Sequence, residues 1–114
     1  MLHYIHKQTI TLNKERIMKR VSNKKVAQAW ALGQMASNHG DTFRTNGYKL
    51  YSYNALIGIT LPDNSKVLFE YTSQGGFFLS MTTSTKHISP ARNVATMVVT
   101  PEIKESLMRV HNIK

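Results

Sequence analysis

The chain has 114 residues, no cysteine and a formal net charge of +9. This length is typical of one domain, and 41% hydrophobic residues suffice for a single core. The lack of cysteine excludes a disulfide framework, a thiolate nucleophile and a Cys-based zinc site. No apolar run reaches the length of a secretory h-region or a membrane helix, so we expect a cytoplasmic protein with no membrane contact.

Positive charge is concentrated near the N-terminus. Residues 1–25 contain seven lysines and arginines and a single acid, Glu15, which gives this quarter of the chain a net charge of +6. Clustered positive charge favours a polyanionic partner, such as nucleic acid or an acidic protein surface. The alternative is a solvated basic surface that only aids solubility.

Two strands and a helix are predicted in the N-terminal part. Residues 7–12 and 15–20 have the pattern of a hairpin, and the second strand would present a largely basic face. Ser22 or Asn23 is a typical N-cap, and apolar side chains recur at helical spacing after it. We expect this helix to end at 38–40, where Gly40 suits a left-handed cap.

The middle of the chain predicts an antiparallel meander. In the hairpin 42–53, Asn46-Gly47 has the residue types of a type I′ turn. The runs 54–61, 66–71 and 77–82 are short, rich in β-branched or aromatic residues and bounded by turn formers. We expect their apolar side chains to lie in the core, among them Phe77, Leu79 and Met81 on one strand face.

Two helices are predicted at the C-terminus, over 89–99 and from Thr100 onwards. Ser89 and Thr100 each precede a proline, which is the usual pattern of an N-cap and a first helical position. The predicted fold class is α+β, an antiparallel β-sheet meander with one central helix and two C-terminal helices packed on it. We expect a single domain over 1–114, with a basic N-terminal hairpin (1–21), an α+β core (22–99) and a C-terminal helix (100–114).

The segment TTSTKHISPARN, Thr82–Asn93, is the first candidate binding site. A strand is expected to lead into a hydroxyl-rich loop, and a helix starting at Ser89 would offer free N–H groups to an anion. Hydroxyl donors and positive charges beside them favour a phosphate or a nucleic-acid backbone. The plainer alternative is a capped helix with solvated side chains. The candidate residues are Thr83, Ser84, Thr85, Lys86, His87 and Arg92.

The hairpin 42–53 and the basic N-terminal residues supply the other candidates. Lys49, Tyr51 and Tyr53 are expected on one strand face with Arg44 on the partner strand, an arrangement that can stack bases and hold phosphates. Alternatively, both tyrosines are half-buried sheet residues with outward hydroxyls. The N-terminal candidates are Arg16, Lys19, Arg20, Lys24 and Lys25.

Catalytic and metal-binding patterns are weak. The six acids are scattered, and His3 and His6 would point to opposite faces of a strand. His87 has the chemistry of a base for a neighbouring hydroxyl, but the sequence shows no acid to orient it. We therefore expect no enzyme activity, no metal and no cofactor.

A resemblance is carried by VAQAWA (26–31), LYSYN (50–54), VLFEYTS (67–73) and TTSTKHISPARNVA (82–95). Over about residues 8–97 the chain resembles a group of small, uncharacterised tailed-phage proteins with V-A-x-x-W-A, L-Y-S-Y and T-S-K-H…A-R segments. Thr85, between Ser84 and Lys86, is a departure from that pattern. The resemblance implies a phage product made in a host bacterial cytoplasm and supplies no chemistry.

Three functions fit these observations. The first is a phage accessory protein that binds DNA or RNA through a basic surface with little sequence preference, since no groove-reading motif is present. The second is a non-enzymatic inhibitor that binds an acidic host or anti-phage defence protein through the same surface. The third is a nucleotide or phosphate binder at 82–92. A homodimer is compatible with each, because an open sheet leaves strand edges to cover.

Overall fold

The computed structural model describes residues 20–72 and 77–114, which form an α+β structure with a six-stranded mixed sheet and three helices. The predicted strands at 7–12 and 15–20 lie outside these residues, apart from Arg20. The elements in chain order are α1 (Asn23–Ala31), β1 (Met35–Ser37), β2 (Phe43–Asn46), β3 (Leu50–Ser52), β4 (Ala55–Thr60), β5 (Lys66–Phe69), a π-helical segment (Thr83–Ile88), α2 (Ser89–Arg92), β6 (Met97–Val99), a 3₁₀ turn (Pro101–Ile103) and α3 (Lys104–Val110).

Helix α1 begins and ends at local sequence features. The Ser22 hydroxyl accepts the N–H of Lys25 (3.3 Å), which confirms the predicted N-cap. Gly33, at φ +72°, leads the chain out of the helix in the left-handed conformation. The predicted helix end at 38–40 is wrong, because Met35–Ser37 forms strand β1 and gains sheet hydrogen bonds with β2.

The sheet has the order β1-β2-β3-β4-β5-β6 among the described strands. Strands β1 to β5 pair antiparallel with their sequence neighbours, as a meander requires. Strand β6 pairs with β5 in parallel, so the sheet is not purely antiparallel as predicted. The helix predicted over 89–99 is therefore wrong in its second half, where Val98 and Val99 are β-branched residues that suit a sheet edge.

The hairpin of β2 and β3 is confirmed, but its turn differs from the predicted type. Gly47 has φ +98°, whereas Asn46 is not among the described residues with a positive φ, so the turn is not type I′. The Asn46 Oδ1 atom accepts the N–H groups of Tyr48 (2.9 Å) and Lys49 (2.8 Å). This side chain holds Asn46 as the first residue of the turn, and Gly47 and Tyr48 are its centre.

Two apolar clusters lie on opposite faces of the sheet. On one face, α1 and the helical residues 81–92, here called the crossover helix, enclose a cluster around Trp30 that includes Phe43 and Leu50. On the other face, Leu107 and Met108 of α3 pack against the second cluster, which consists of Ile59, Val67 and Phe69. The protein thus has a helical layer on each side of the sheet, as hydrophobic faces of strands require.

A bulge in β4 lies next to the Trp30 side chain. Leu50 is opposite Gly58, whereas Tyr51 is opposite Leu56, so Ile57 is an extra residue in this strand. Ile57 belongs to the Trp30 cluster, and Gly58 lies next to the six-membered ring of the Trp30 indole. A Cβ atom at position 58 would lie 2.8 Å from Trp30 Cζ2.

The crossover helix occupies the region of a predicted strand. Residues 77–80 have no regular secondary structure, and helical structure starts at residue 81. The strand predicted over 77–82 is wrong, because both sides of β5 are already paired, with β4 and β6. As a result Phe77, Leu79 and Met81 are exposed, by 39%, 45% and 67%, instead of lying in the core.

The predicted C-terminal helix is confirmed with a different first turn. Thr100 is extended and Pro101 opens a 3₁₀ turn, which continues into α3. The Thr100 side chain makes no capping hydrogen bond with the backbone, in contrast to the expectation from the Thr-Pro pair. Proline at this position suffices to start the turn, because its missing N–H needs no partner there.

Candidate functional site

The predicted anion-binding loop is helical. The Ser80 hydroxyl accepts the N–H of Thr83 (3.0 Å), so Ser80 caps the crossover helix. The N–H of Ser89 donates to the carbonyl of Ser84 inside the helix. Ser89 therefore offers no free N–H to an anion, and the predicted helix start at Ser89 is wrong. A wide π-helical turn precedes Pro90, and such turns are one way for a helix to accommodate a residue without an N–H group.

Two of the predicted site residues, Thr83 and His87, point into the protein and form a buried polar network. Ser52 Oγ of β3 lies 2.6 Å from His87 Nδ1 and 2.8 Å from Thr83 Oγ1. The Ser80 hydroxyl in turn donates to Thr83 Oγ1 (3.0 Å). Ser52, Thr83 and His87 are each 1% exposed, so the network is held in a low-dielectric environment where its hydrogen bonds are strong.

His87 is neutral in this environment. Its ring is stacked on Phe43, with centroids 4.5 Å apart, and Tyr53 contacts it at 5.8 Å. Burial lowers the pKa of His87 from 6.5 to about 4. A neutral imidazole can accept a hydrogen bond at Nδ1, which allows the hydroxyl protons of Ser80, Thr83 and Ser52 to point along one chain that ends on His87.

The remaining residues of this segment divide between solvent and an ion pair. Lys86 is exposed, and the Thr85 hydroxyl donates to the carbonyl of Met81 within the helix. Ser84 is half-buried. Arg92 forms an ion pair with Glu70 (2.5 Å), so its charge is already balanced. The residues of the predicted set Thr83–Arg92 therefore do not share one surface.

The hairpin 42–53 does not present the predicted basic and aromatic face. Arg44 covers the Tyr51 ring at 4.8 Å and donates to the Tyr53 carbonyl (2.7 Å). Tyr53 follows β3 with φ +54°, which turns its ring away from Tyr51 and toward His87. The Lys49 ammonium donates to the carbonyl oxygen of Lys114. Lys49, Tyr51 and Tyr53 thus have separate surroundings, because only Tyr51 lies inside strand β3.

The N-terminal basic candidates are only partly described. Arg16 and Lys19 lie outside the described residues. Arg20 donates to Ser37 Oγ and Asp41 Oδ1, both at 3.0 Å. Hydrogen bonds from Ser37 and Arg20 hold the pKa of Asp41 below its usual value. Arg20 therefore stabilises the loop after β1.

Lys24 and Lys25 differ from Arg20. Both are exposed in the first turn of α1, and neither side chain has a hydrogen-bond or ion-pair partner among the described residues. Lys24 lines an open groove of about 390 Å³ together with residues of the crossover helix and the turn after it. This groove joins two segments that are far apart in sequence. Its lining residues are Lys24, Gln28, Ser89, Pro90, Asn93 and Val94.

Lys66 is a cation that the sequence does not distinguish from surface lysines. It is 6% exposed, and its ammonium donates to the Gly47 carbonyl (3.1 Å) and to Thr60 Oγ1 (2.8 Å). Burial lowers its pKa. Lys66 thus ties the β2–β3 turn to the sheet, and its ammonium is not available to a ligand at the surface.

A second cavity, here called the hydroxyl pocket, opens above the buried network. Its volume is about 390 Å³, and it lies between the end of β3 and the start of the crossover helix. Ser52 and Ser80 line it but were not singled out by sequence reasoning. A signal existed for Ser52, because strand alternation places it on the same face as the buried Leu50. The lining residues are Ser52, Tyr53, Asn54, Ala55, Leu79, Ser80, Thr82 and Thr83.

No group of three or more His, Cys, Asp or Glu side chains suited to a metal ion occurs within 20–72 and 77–114. In the same part of the chain, no helix combines the length and the apolar character needed to cross a bilayer. No protein-family model matches the chain. Neither a curated protein nor a solved structure gives a significant match to it.

Proposed function

We propose that this protein binds nucleic acid, with little sequence preference, through the helical layer formed by α1 and the crossover helix. The observation that supports the proposal is the charge of this layer. α1 and residues 81–92 contain Lys24, Lys25, Lys86 and Arg92 and no acid. Of these four, only Arg92 is balanced by a carboxylate among the described residues. On the opposite side of the sheet, by contrast, α3 and the turn before it mix both signs of charge.

The position of Lys24 and Lys25 also favours an anionic partner. Both lie in the first turn of α1, where the helix dipole favours acids and disfavours cations by about 0.3–1 kcal/mol for each exposed charge. A bound phosphate would reverse this unfavourable interaction, since it is attracted both by the lysines and by the N-terminal end of the helix. These lysines and the groove beside Lys24 can contact the phosphate backbone of a nucleic acid, but they form no pattern for reading base pairs. We therefore expect little sequence preference.

The proposal is tested by fluorescence anisotropy with single-stranded DNA, single-stranded RNA and duplex DNA at low and physiological salt. The double variant K24E/K86E should weaken binding by at least about tenfold, because two phosphate contacts become repulsive. The control R109E/K114E changes the net charge equally at exposed positions outside the helical layer. An equal loss in both variants, or no binding of the wild type at low salt, contradicts the proposal.

A second candidate function, an inhibitor that binds a host or defence protein, is supported by a different feature. Phe77, Phe78, Leu79 and Met81 form an exposed apolar stretch, with 39–67% of each side chain accessible. Contiguous apolar surface of this kind is common at protein–protein interfaces. The test is a pull-down after nuclease treatment. A single stoichiometric protein partner that K24E/K86E retains and F78S/M81S loses would favour this function. The phage origin implied by the resemblance is compatible with both candidates.

A further inference from the structure

The hydroxyl pocket differs in character from the basic helical layer. None of its lining residues is an acid, a lysine, an arginine or a histidine, and its walls combine apolar groups (Ala55, Leu79) with the Tyr53 ring. Its volume of about 390 Å³ falls in the range of small-ligand sites, about 300–1,000 Å³. A site without ionised groups offers no counter-charge to a ligand, which favours a neutral one.

The floor of the pocket is a row of hydroxyl groups within hydrogen-bond distance of one another. Ser80 donates to Thr83, and Thr83 lies 2.8 Å from Ser52, which lies 2.6 Å from His87 Nδ1. If each proton points toward the neutral imidazole, every donor in the row has an acceptor. The half-buried Ser80 Oγ then has a lone pair left for a ligand donor, in addition to the one that accepts from Thr83 N–H. Asn54 and Thr82 line the same cavity and add an amide and a further hydroxyl.

The wall of the pocket suits a flat ring. Tyr53 is 46% exposed and is held beside the cavity by its left-handed backbone, φ +54°. Its carbonyl accepts from Arg44 (2.7 Å), which fixes the backbone that carries the ring. An aromatic side chain at such a position stacks on planar heteroaromatic ligands. An amide and hydroxyls near the ring match the alternating donors and acceptors on the edge of a base.

We propose that the hydroxyl pocket is a binding site for one neutral nucleobase, presented either by single-stranded nucleic acid or by a free nucleoside. The nucleic-acid source rests on the proposed function, because the crossover helix carries both the pocket residues Thr82 and Thr83 and the exposed Lys86. Single-strand binding proteins combine backbone cations with stacking of unpaired bases in the same way. The free nucleoside source does not depend on the basic layer.

The test uses the full chain and four probes, adenosine, guanosine, cytidine and uridine, each titrated while backbone amides are followed by NMR. We expect at least one nucleoside to shift the amides of residues 53–55 and 79–83. Thr82→Trp should remove these shifts by filling the rim, whereas Thr85→Trp should keep them, because Thr85 is an exposed threonine of the same helix that does not line the pocket. Tyr53→Leu should weaken binding by about tenfold, and Tyr53→Phe should retain it. The proposal is overturned if no nucleoside shifts these amides, or if Thr82→Trp leaves the shifts unchanged.

Oligonucleotides separate the two sources and the two proposals. A single-stranded oligonucleotide and an abasic strand of the same length are compared by anisotropy, with wild type and Thr82→Trp. Nucleic acid is the source if the wild type binds the abasic strand more weakly than the strand with bases. In that case Thr82→Trp should lower the affinity only for the strand with bases. Equal binding of both strands, with nucleoside shifts present, identifies the free nucleoside. If nucleosides bind and neither strand does, the proposed function fails while the pocket assignment stands.

Discussion

Gly58 of β4 lies so close to the Trp30 indole ring that position 58 has no room for a side chain. A Cβ atom there would come within 2.8 Å of Trp30 Cζ2 and 3.1 Å of Leu50 Cβ. Trp30 cannot retreat easily, because it is fully buried and its Nε1 donates to the Tyr48 carbonyl (3.2 Å). The bulge at Ile57 and the glycine after it thus set the position of α1 over the sheet.

Gly58→Ala should therefore destabilise the protein by about 1–3 kcal/mol, the usual cost of overpacking a well-packed core. Urea denaturation followed by Trp30 fluorescence measures the change. Gly40→Ala is the matched control, since the nearest atom to an added Cβ there is Thr42 Cγ2 at 3.8 Å. Equal stabilities of the two variants would show that the helix shifts freely over the sheet.

His87→Asn should remove a pH dependence of stability. The folded-state pKa of His87, about 4, lies below its ordinary value of 6.5, so between these values the unfolded chain binds a proton that the folded protein does not. The wild type should lose up to about 3 kcal/mol of stability as the pH falls from 6.5 to 4. Asparagine keeps an acceptor for Ser52 but does not titrate. Chemical denaturation from neutral pH to pH 4 measures both proteins, and parallel curves would contradict a buried neutral imidazole.

Lys86→Ala should weaken binding, whereas Arg92→Ala should lower stability, although both residues lie on the crossover helix. Lys86 is exposed and has no ion-pair partner within 20–72 and 77–114, so its loss should reduce the slope of log affinity against log salt by about 0.7 for a single strand. Arg92 is paired with Glu70, so its loss should leave that slope unchanged and cost about 1 kcal/mol of stability. Anisotropy at several salt concentrations and thermal denaturation measure the two effects. A reduced slope in Arg92→Ala would mean that the ion pair opens on binding.

Ser80→Ala should destabilise the protein by about 1 kcal/mol, because it removes the N-cap of the crossover helix. Ser89→Ala should change the stability by less than about 0.5 kcal/mol, because Ser89 is an exposed residue in the helix interior. The free energy of unfolding in urea gives both values. The reverse order would place the helix start at Ser89, as the Ser-Pro pair alone suggests.

Local signals in the sequence predict the fold well where a cap, a turn residue or a short run of β-branched and aromatic residues is present. The Ser22 cap, the hairpin around Asn46 and Gly47 and the strands β4 and β5 are examples. Three segments that lack such a signal were assigned wrongly: Met35–Ser37, 77–82 and Met97–Val99. Met35–Ser37 and Met97–Val99 gain partners in the sheet, whereas 77–82 finds both sides of β5 already paired. Such pairing is invisible to local periodicity.

The candidate site was less predictable than the fold. Thr83 and His87 were selected for their chemistry, yet they point inward to Ser52, which is more than thirty positions away in sequence. Charge alone likewise could not tell Arg20 and Arg92, which are paired, from Lys24 and Lys86, which have no ion-pair partner among the described residues. Whether a cation is available depends on the few acids nearby in space, and that information comes only from the tertiary structure.

The parallel pairing of β5 with β6 has a consequence for the order of folding. Strands β1 to β5 are joined by short connections, so their contacts are local and form at little cost in loop entropy. The connection from Phe69 to Met97 is long and contains the crossover helix, so β6 closes a much larger loop. The hydroxyl pocket is built from β3 on one side and the crossover helix on the other, so it forms only when this helix packs on the sheet. A chain with the meander alone would lack the pocket, and ligand binding would report the docking of the crossover helix.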